Sequence, residues 1–202
     1  MLIDVLSENP DLRVIHKIID ILNNDGLIVV PTDTIYAFAT SIKSKKGIER
    51  LAKIKNEKLK RSNFSLICKD LSNISKYTKP IDRKTFRTLK STLPGPFTFI
   101  LNANNSVSKI FQTNKKEIGI RVPDHKFLKT LVEELNHPLV CSSVNDEDHI
   151  IKYTTDPLAI FEKFEKNVDA VINYGYGKNV ASTIIDLTSE SPVLIRQGAG
   201  IL

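Results

Sequence analysis

Short apolar runs that end at turn-forming residues recur along the chain, and they predict β-strands. One of them, Leu27–Val30, stops at Pro31, whose missing N–H cannot continue a strand ladder. The other runs that predict strands are Phe64–Cys68, Phe97–Leu101, Ile118–Val122, Pro138–Cys141, Val168–Ile172, Thr183–Leu187 and Val193–Ile195. Proline, glycine and polar turn residues separate them.

Apolar residues at three- and four-residue spacing predict amphipathic helices between these strands. The first helix is predicted to open with Asn9 as its cap and Pro10 at the first helical position, and to stop before Gly26. The other predicted helices are Ser44–Lys55, Ile81–Leu89, Lys126–Leu135 and Pro157–Phe164. Because strands outnumber helices and both alternate, the pattern predicts an α/β fold, a mixed β-sheet with helices packed on it.

The composition is that of an ordinary globular protein. The 202 residues are 41% hydrophobic and 26% charged, so residues 1–202 are expected to form a single domain with a full core. No apolar run approaches the roughly 20 residues that cross a bilayer, and a cytoplasmic location is expected. Cys68 and Cys141 lie in apolar runs and are expected to be buried free thiols. The four histidines show no metal-ligand spacing, so no metal site is predicted.

The net charge of +6 is concentrated in residues 43–61, which hold nine lysines and arginines against two glutamates. Such a segment can attract a polyanion, either the phosphates of a nucleotide or an RNA backbone. A solvated lysine-rich helix and loop is the alternative interpretation. The sequence leaves both open.

The segment Pro31–Tyr36 is the first candidate for a functional site. It places two threonines and an aspartate at the end of a buried strand, which is where α/β proteins hold ligands. Further polar residues follow or open other predicted strands, namely Arg121, Ser142–Asn145, Ser182–Thr183 and Arg196. The common phosphate loop and the nucleophile elbow of serine hydrolases are absent from the sequence.

Six segments together resemble one known family. In chain order they are PTDTIY, LPGPFTFIL, IGIRVPDH, PLVCSSVN, STIIDL and LIRQGAG, which are similar to motifs of the YrdC-like family of threonylcarbamoyl-AMP synthases. The stretch SNFSLICKDLS resembles the YciO branch more closely. The resemblance implies a YrdC-like twisted mixed β-sheet and the conversion of L-threonine, bicarbonate and ATP to threonylcarbamoyl-AMP and pyrophosphate. That product supplies the threonylcarbamoyl group of adenosine 37 in tRNA.

The resemblance also implies roles for individual residues. The matched positions are Thr34, Arg121 and Ser182 for threonine, Asn63, Ser143, Asn145 and Arg196 for the nucleotide, and Lys53, Lys55 and Arg121 for catalysis. Mg²⁺ is expected to arrive with ATP, without a tightly bound cofactor. The implied partners are ATP, L-threonine and bicarbonate, with tRNA or double-stranded RNA as a further partner of the basic segment 43–61.

The motifs depart from the family pattern at four places. Lys55 replaces an arginine, which keeps the charge and loses the planar fork. Ala37 and Ala39 stand at glycine positions and are expected to narrow the approach of a ligand. Cys68 replaces a histidine, and Asp146–Glu147 replaces serine and glycine. Two alternatives therefore stay open, an RNA- or nucleotide-binding YciO-type paralogue with weak or no synthase activity, and a different carbamoyl- or adenylate-transfer enzyme.

Overall fold

The fold is known from a computed structural model that describes residues 1–5, 10–59, 62–145 and 154–201. The strands are β1 Leu2–Asp4, β2 Leu27–Val30, β3 Ala37–Ser41, β4 Ser65–Ile67, β5 Phe97–Asn102, β6 Glu117–Arg121, β7 Leu139–Ser143, β8 Ala170–Asn173, β9 Thr183–Asp186 and β10 Val193–Arg196. The helices are α1 Leu12–Asn23, α2 Lys45–Ile54, α3 Arg83–Thr92, α4 Asn105–Phe111, α5 Lys126–Leu135 and α6 Pro157–Phe164. Within these ranges, no helix is long and apolar enough to cross a membrane.

The strands of the described residues form one ten-stranded sheet in the order β1-β8-β2-β3-β7-β4-β6-β5-β9-β10. The sheet contains both parallel pairs, such as β4–β6 and β5–β9, and antiparallel pairs, such as β3–β7 and β5–β6. The prediction of a mixed α/β sheet with helices packed on it is therefore confirmed.

The central strand β3 was not predicted from the sequence. All five of its residues are buried, and it pairs with β2 on one side and with β7 on the other. A strand that is buried on both faces has no alternation of apolar and polar residues, and the alanines of this one have low strand propensity. The elements β1 and α4 were missed because three and seven residues are too few to show a period.

The first helix begins later than predicted. α1 starts at Leu12, and the carboxylate of its N-cap, Asp11, accepts a hydrogen bond from the backbone N–H of Arg13 at 2.9 Å. Pro10 therefore precedes the helix, and Asn9 lies outside the described residues. Aspartate caps a helix as well as asparagine does. Asp11 is the nearer of the two to the buried residues of α1, and it is the cap in the structure.

The two faces of the sheet pack against separate hydrophobic cores. The first core contains Val29 and Phe99 and is covered by α2, α3, α4 and α6. The second core contains Ile28 and Cys141 and is covered by α1 and α5. Since no residue of β5, β6, β9 or β10 belongs to the second core, α1 and α5 cover only part of the second face. The remaining part of that face stays open.

Candidate functional site

The open part of the second face forms a trough of about 470 Å³. Its floor includes Ser65, Thr98, Gly119 and Ile184, which alternate along their strands with residues of the first core. A Cβ atom on Gly119 would lie 2.3 Å from Oγ of Ser65, so any larger residue would push into its neighbour. A cavity of this size is typical of sites that hold small molecules.

The segment between β2 and β3, which the sequence singles out first, is buried and held by its own side chains. Oγ1 of Thr32 accepts a hydrogen bond from the backbone N–H of Thr34 at 3.1 Å. The hydroxyl of Tyr36 donates to the carbonyl of Gly175 at 2.7 Å. Burial raises the pKa of Tyr36 to about 12, so this hydroxyl keeps its proton. The backbone around Thr34 is thereby fixed from both ends.

Arg121 lies buried against this segment. Its Nη2 donates to Oδ1 of Asp33 at 2.9 Å and to Oγ1 of Thr34 at 3.0 Å. The other oxygen of Asp33 accepts from the backbone N–H of Asp124 at 3.2 Å. Arg121 is only 6% exposed, and its Nε has no hydrogen-bond partner among the described residues. The arrangement leaves a buried, charged N–H donor without an acceptor, which is a cost that a bound carboxylate would remove.

His125 lies close to the same carboxylate, although no role was predicted for it. Its ring centroid is 4.8 Å from that of Tyr174, and its buried Nδ1 has no partner in the described part of the chain. Burial lowers the pKa of His125, while Asp33 and Asp124 act to raise it. The imidazole is therefore neutral at pH 7. Its place in the motif IGIRVPDH was the signal that could have identified it.

Ser182 and Arg196 meet beside the trough floor. The hydroxyl of Ser182 shares a hydrogen bond with Oγ1 of Thr98 at 2.8 Å. The Nη2 and Nε atoms of Arg196 donate to the backbone carbonyl of Ser182 at 2.8 and 3.2 Å. The structure thus brings these two predicted site residues into direct contact.

The two lysines that were predicted as a catalytic pair are placed differently. Nζ of Lys55 donates to the backbone carbonyl of Ser143 at 3.1 Å, and burial lowers the pKa of this lysine. Lys53 is exposed on α2, and Asn145 is exposed just after β7. Of the two lysines, Lys55 therefore contacts another predicted site residue in the described part of the chain and Lys53 does not. Asp146–Glu147 lies outside the described residues.

Lys115 is a residue of the trough that was not predicted. It lines the trough together with Asn63, and its Nζ donates to the backbone carbonyl of Ser62. Burial lowers the pKa of Lys115, against the opposing charges of Glu57 and Glu117. Because Lys115 belongs to a polar loop without a motif, the sequence held no signal for it.

The basic residues of the segment 43–61 have different surroundings. Lys46 pairs with Asp25 at 3.7 Å, and Arg50 pairs with Asp169 at 2.6 Å. The last two residues of the segment lie outside the described residues. Two further lysines of the segment, Lys43 and Lys45, line a cleft that is separate from the trough.

Two of the departures from the family motifs concern residues that are buried in the hydrophobic cores. Ala37 and Ala39 are 2% and 0% exposed and belong to the second core, so the expectation that they narrow a ligand site is wrong. Cys68 belongs to the first core, where burial raises the pKa of its thiol to about 12. Both cysteines are buried and free, which confirms the prediction for Cys68 and Cys141.

The Sua5/YciO/YrdC family model, described as "Telomere recombination", matches residues 20–198. The chain belongs to this family. YciO of Escherichia coli, named an uncharacterized protein, is 36% identical over 195 residues, which are 96% of this chain and 93% of that protein. The crystal structure of E. coli YciO matches with a TM-score of 0.90 and 34% identity, over 100% of this chain and 97% of that one.

Two other similar proteins have names that mention an activity or a ligand. A threonylcarbamoyl-AMP synthase of Coxiella burnetii is 29% identical over 133 residues, which are 66% of this chain and 71% of that protein. The crystal structure of P. abyssi Sua5 complexed with L-threonine has a TM-score of 0.87 at 22% identity, over 98% of this chain and 57% of that one. The match to P. abyssi Sua5 shows that the two proteins share a fold.

Proposed function

We propose that this Sua5/YciO/YrdC-family protein is a threonylcarbamoyl-AMP synthase. The observation that carries the proposal is the buried Arg121, whose Nη2 donates to Thr34 and whose Nε has no partner among the described residues. Arg121 projects from the same face of β6 as Gly119, so a place for a carboxylate adjoins a trough for a nucleotide. The name of the Coxiella burnetii synthase and the threonine complex of P. abyssi Sua5 favour threonine as the amino acid.

In this proposal, Arg121 binds the carboxylate of threonine. Its Nε donates to the carboxylate, while Asp33 holds Nη2 and keeps the guanidinium plane in position. Thr34 and Ser182 are the other threonine contacts, and Thr98 orients the hydroxyl of Ser182. Threonine is thus bound by groups that the protein has already ordered, which lowers the entropy cost of binding.

The trough binds ATP in this proposal, with Mg²⁺ entering as part of the nucleotide substrate. Asn63 and Lys115 line the trough, and the half-buried ammonium of Lys115 is a suitable donor to a phosphate. Ser143, Asn145 and Arg196 remain the other proposed nucleotide contacts. Ile184 adds an apolar surface to the floor for the base or the ribose.

The reaction needs positioning and charge, and it needs no covalent nucleophile. The amine of threonine first attacks the carbon of bicarbonate, a C–O bond of bicarbonate breaks, and water leaves, which gives a carbamate. An oxygen of this carbamate then attacks the α-phosphorus of ATP. The bond from that phosphorus to the bridging oxygen breaks, and pyrophosphate leaves with the electron pair. Because both reactants are anions, cations such as Arg121 and Lys55 reduce their repulsion and hold them in line. The product would carry the threonylcarbamoyl group to adenosine 37 of tRNA.

A nucleotide-binding paralogue with weak or no synthase activity is the second candidate. One observation favours it: the ammonium of Lys55 is bonded to the carbonyl of Ser143, in the position where the family has an arginine. A lysine held in this way offers fewer donors to a phosphate than a free guanidinium fork does.

ATP–pyrophosphate exchange tests the proposal. The protein should catalyse exchange only when L-threonine and bicarbonate are both present. Arg121→Lys should lower the threonine-dependent rate roughly tenfold or more, because it removes a charged hydrogen bond, whereas Arg87→Lys on the exposed face of α3 should not change the rate. ATP binding without any exchange would favour the paralogue, and exchange that survives Arg121→Lys unchanged would refute the role of Arg121.

A further inference from the structure

A second cleft, of about 510 Å³, lies outside the trough and is strongly basic. Three exposed lysines line it, and they come from two separate parts of the chain. Lys43 and Lys45 flank Ser44, the N-cap of α2, and Lys109 lies in the last turn of α4. No aspartate or glutamate is among its lining residues. We call this site the basic cleft.

The three lysines of the basic cleft are not neutralised by the protein. On the neighbouring turn of α2, Lys46 and Arg50 are paired with Asp25 and Asp169. Lys43, Lys45 and Lys109, in contrast, form no ion pair with a carboxylate in the described part of the chain. Three like charges that converge on one concavity repel each other, so an anion placed between them is attracted by all three.

The inner wall of the basic cleft is apolar and aromatic. Ile42 is 6% exposed and belongs to the first core, and Tyr77 and Ile110 pack partly buried against that core. His137 is 9% exposed at the same site, with Nε2 3.5 Å from Oγ of Ser41. Burial lowers the pKa of His137, and Lys43 lowers it further, so the positive charge of the cleft comes from the lysines. A small inorganic anion would leave this apolar wall uncovered.

The basic cleft is separate from the trough. The two sites share no lining residue. The cleft is built on residues of the first core, whereas the trough floor lies on the second face of the sheet. In the pairing of β3 with β7, Ala37 and Ser143 meet at one end, and Ser41 and Leu139 meet at the other, where the cleft begins. A ligand in the cleft therefore occupies a different surface from the proposed ATP.

We propose that the basic cleft is a second nucleotide-binding site, which takes a phosphate between the three lysines and the attached base or ribose against Tyr77 and the isoleucines. Lysine ammonium groups bind phosphate as point charges, and an aromatic ring beside them accepts the face of a base. A free nucleotide and a nucleotide within single-stranded RNA share this chemistry. The site does not depend on the reaction proposed for the trough.

Amide chemical shifts of the full chain test the proposal with three probes: AMP, a short single-stranded RNA and inorganic phosphate. AMP, the RNA or both should shift the amide signals of Ile42, Ile110 and Gln112. The triple variant Lys43→Ala/Lys45→Ala/Lys109→Ala should weaken this binding roughly tenfold or more, because it removes the phosphate contacts. The control Lys17→Ala/Lys90→Ala/Lys166→Ala removes the same charge from exposed lysines elsewhere and should bind as the unmodified protein does.

Each outcome decides the proposal. Shifts with AMP identify free nucleotide as a sufficient ligand, and shifts with the RNA alone identify the polymer as the source; both support the site. The absence of shifts at these amides with either probe overturns it, as does an equal loss of binding in the control variant. Inorganic phosphate that binds as tightly as AMP would overturn the role of the aromatic wall. Shifts confined to Thr98 and Gly119 would overturn the cleft while leaving the trough proposal standing.

Discussion

Asp33 neutralises Arg121 in the interior, and the pair sets the geometry of the proposed threonine site. Their side chains are 6% and 7% exposed, and Nη2 and Oδ1 are 2.9 Å apart. Asp33→Asn should lower the free energy of unfolding by about 3 kcal/mol, because it leaves a buried guanidinium without its counter-charge. Urea denaturation at constant pH measures this change.

Lys46→Ala is the matched control for that experiment. It breaks the exposed pair with Asp25, in which the lysine side chain is 78% exposed, and should change stability by less than about 0.5 kcal/mol. An Asp33→Asn variant as stable as this control would show that Arg121 is well solvated, and the description of a buried pair would be wrong.

Lys115 should contribute to ATP binding although no motif contains it. Lys115→Ala should raise the Kd for ATP roughly tenfold, because one charged hydrogen bond to a phosphate is lost. Burial lowers the pKa of Lys115, so this lysine loses its proton at a lower pH than an exposed lysine does. ATP affinity should fall as that charge is lost. Calorimetric titration measures both effects, with Lys90→Ala on α3 as the control. Unchanged affinity in Lys115→Ala would remove this lysine from the site.

At the level of elements, the side chain of Ser65 on β4 occupies the space next to Gly119 on β6, where a Cβ atom is missing. Gly119→Ala places a Cβ 2.3 Å from Oγ of Ser65, and should destabilise the fold by about 1–2 kcal/mol through overpacking. Ser65→Ala in the same chain removes that oxygen and should recover part of the loss. Thermal or urea unfolding of the two single variants and the double variant measures the coupling. Strictly additive effects would contradict the proposed contact.

Elements in which apolar residues recur at a regular spacing were predictable from the sequence, and elements without such a spacing were not. The bounds of α5 and α6 agree with the predicted helices, because both combine a regular apolar stripe with clear ends. β3 is buried on both faces, so its pattern carries no period. The start of α1 was misjudged because two capping residues lie close together, and local sequence does not show which one is used.

The site was only partly predictable, for a related reason. The motifs identified Thr34 and Arg121. The hydrogen bond between these two residues joins positions 87 apart in the chain, and Asp33 accepts a second bond from the same guanidinium. Both contacts depend on how the sheet folds. Lys115 gave no signal because lysines in polar loops are common. The same holds for Lys109, which joins Lys43 in the basic cleft only through the packing of α4 beside α2.

At the level of the whole molecule, the buried thiols should make stability fall at alkaline pH. Burial raises the pKa of Cys68 to about 12 and that of Cys141 to about 11, from an ordinary value of 9.0. Above about pH 9 the unfolded chain loses thiol protons that the folded chain keeps, so stability is full below pH 9 and is lost as pH rises towards 11–12. The slope is about 1.4 kcal/mol per pH unit for each thiol.

Urea denaturation between pH 8 and pH 11 checks this expectation, with Cys68→Ala/Cys141→Ala as the comparison. The raised pKa of Tyr36 adds a decline above about pH 10 in both proteins, so the measured quantity is the difference between their slopes. The thiol-free variant should lose less stability over this range. Equal slopes would show that the thiols ionise normally and that the cores around them admit water.

Formation of threonylcarbamoyl-AMP is the most direct test of the proposed activity. The purified protein is incubated with L-threonine, MgATP and ¹³C-labelled bicarbonate, and the products are separated and identified by mass spectrometry. The expected result is an adenylate that contains threonine and the heavy carbon, is formed together with pyrophosphate, and is greatly reduced in Arg121→Lys. Its absence from folded protein that binds both ATP and threonine would contradict the proposal.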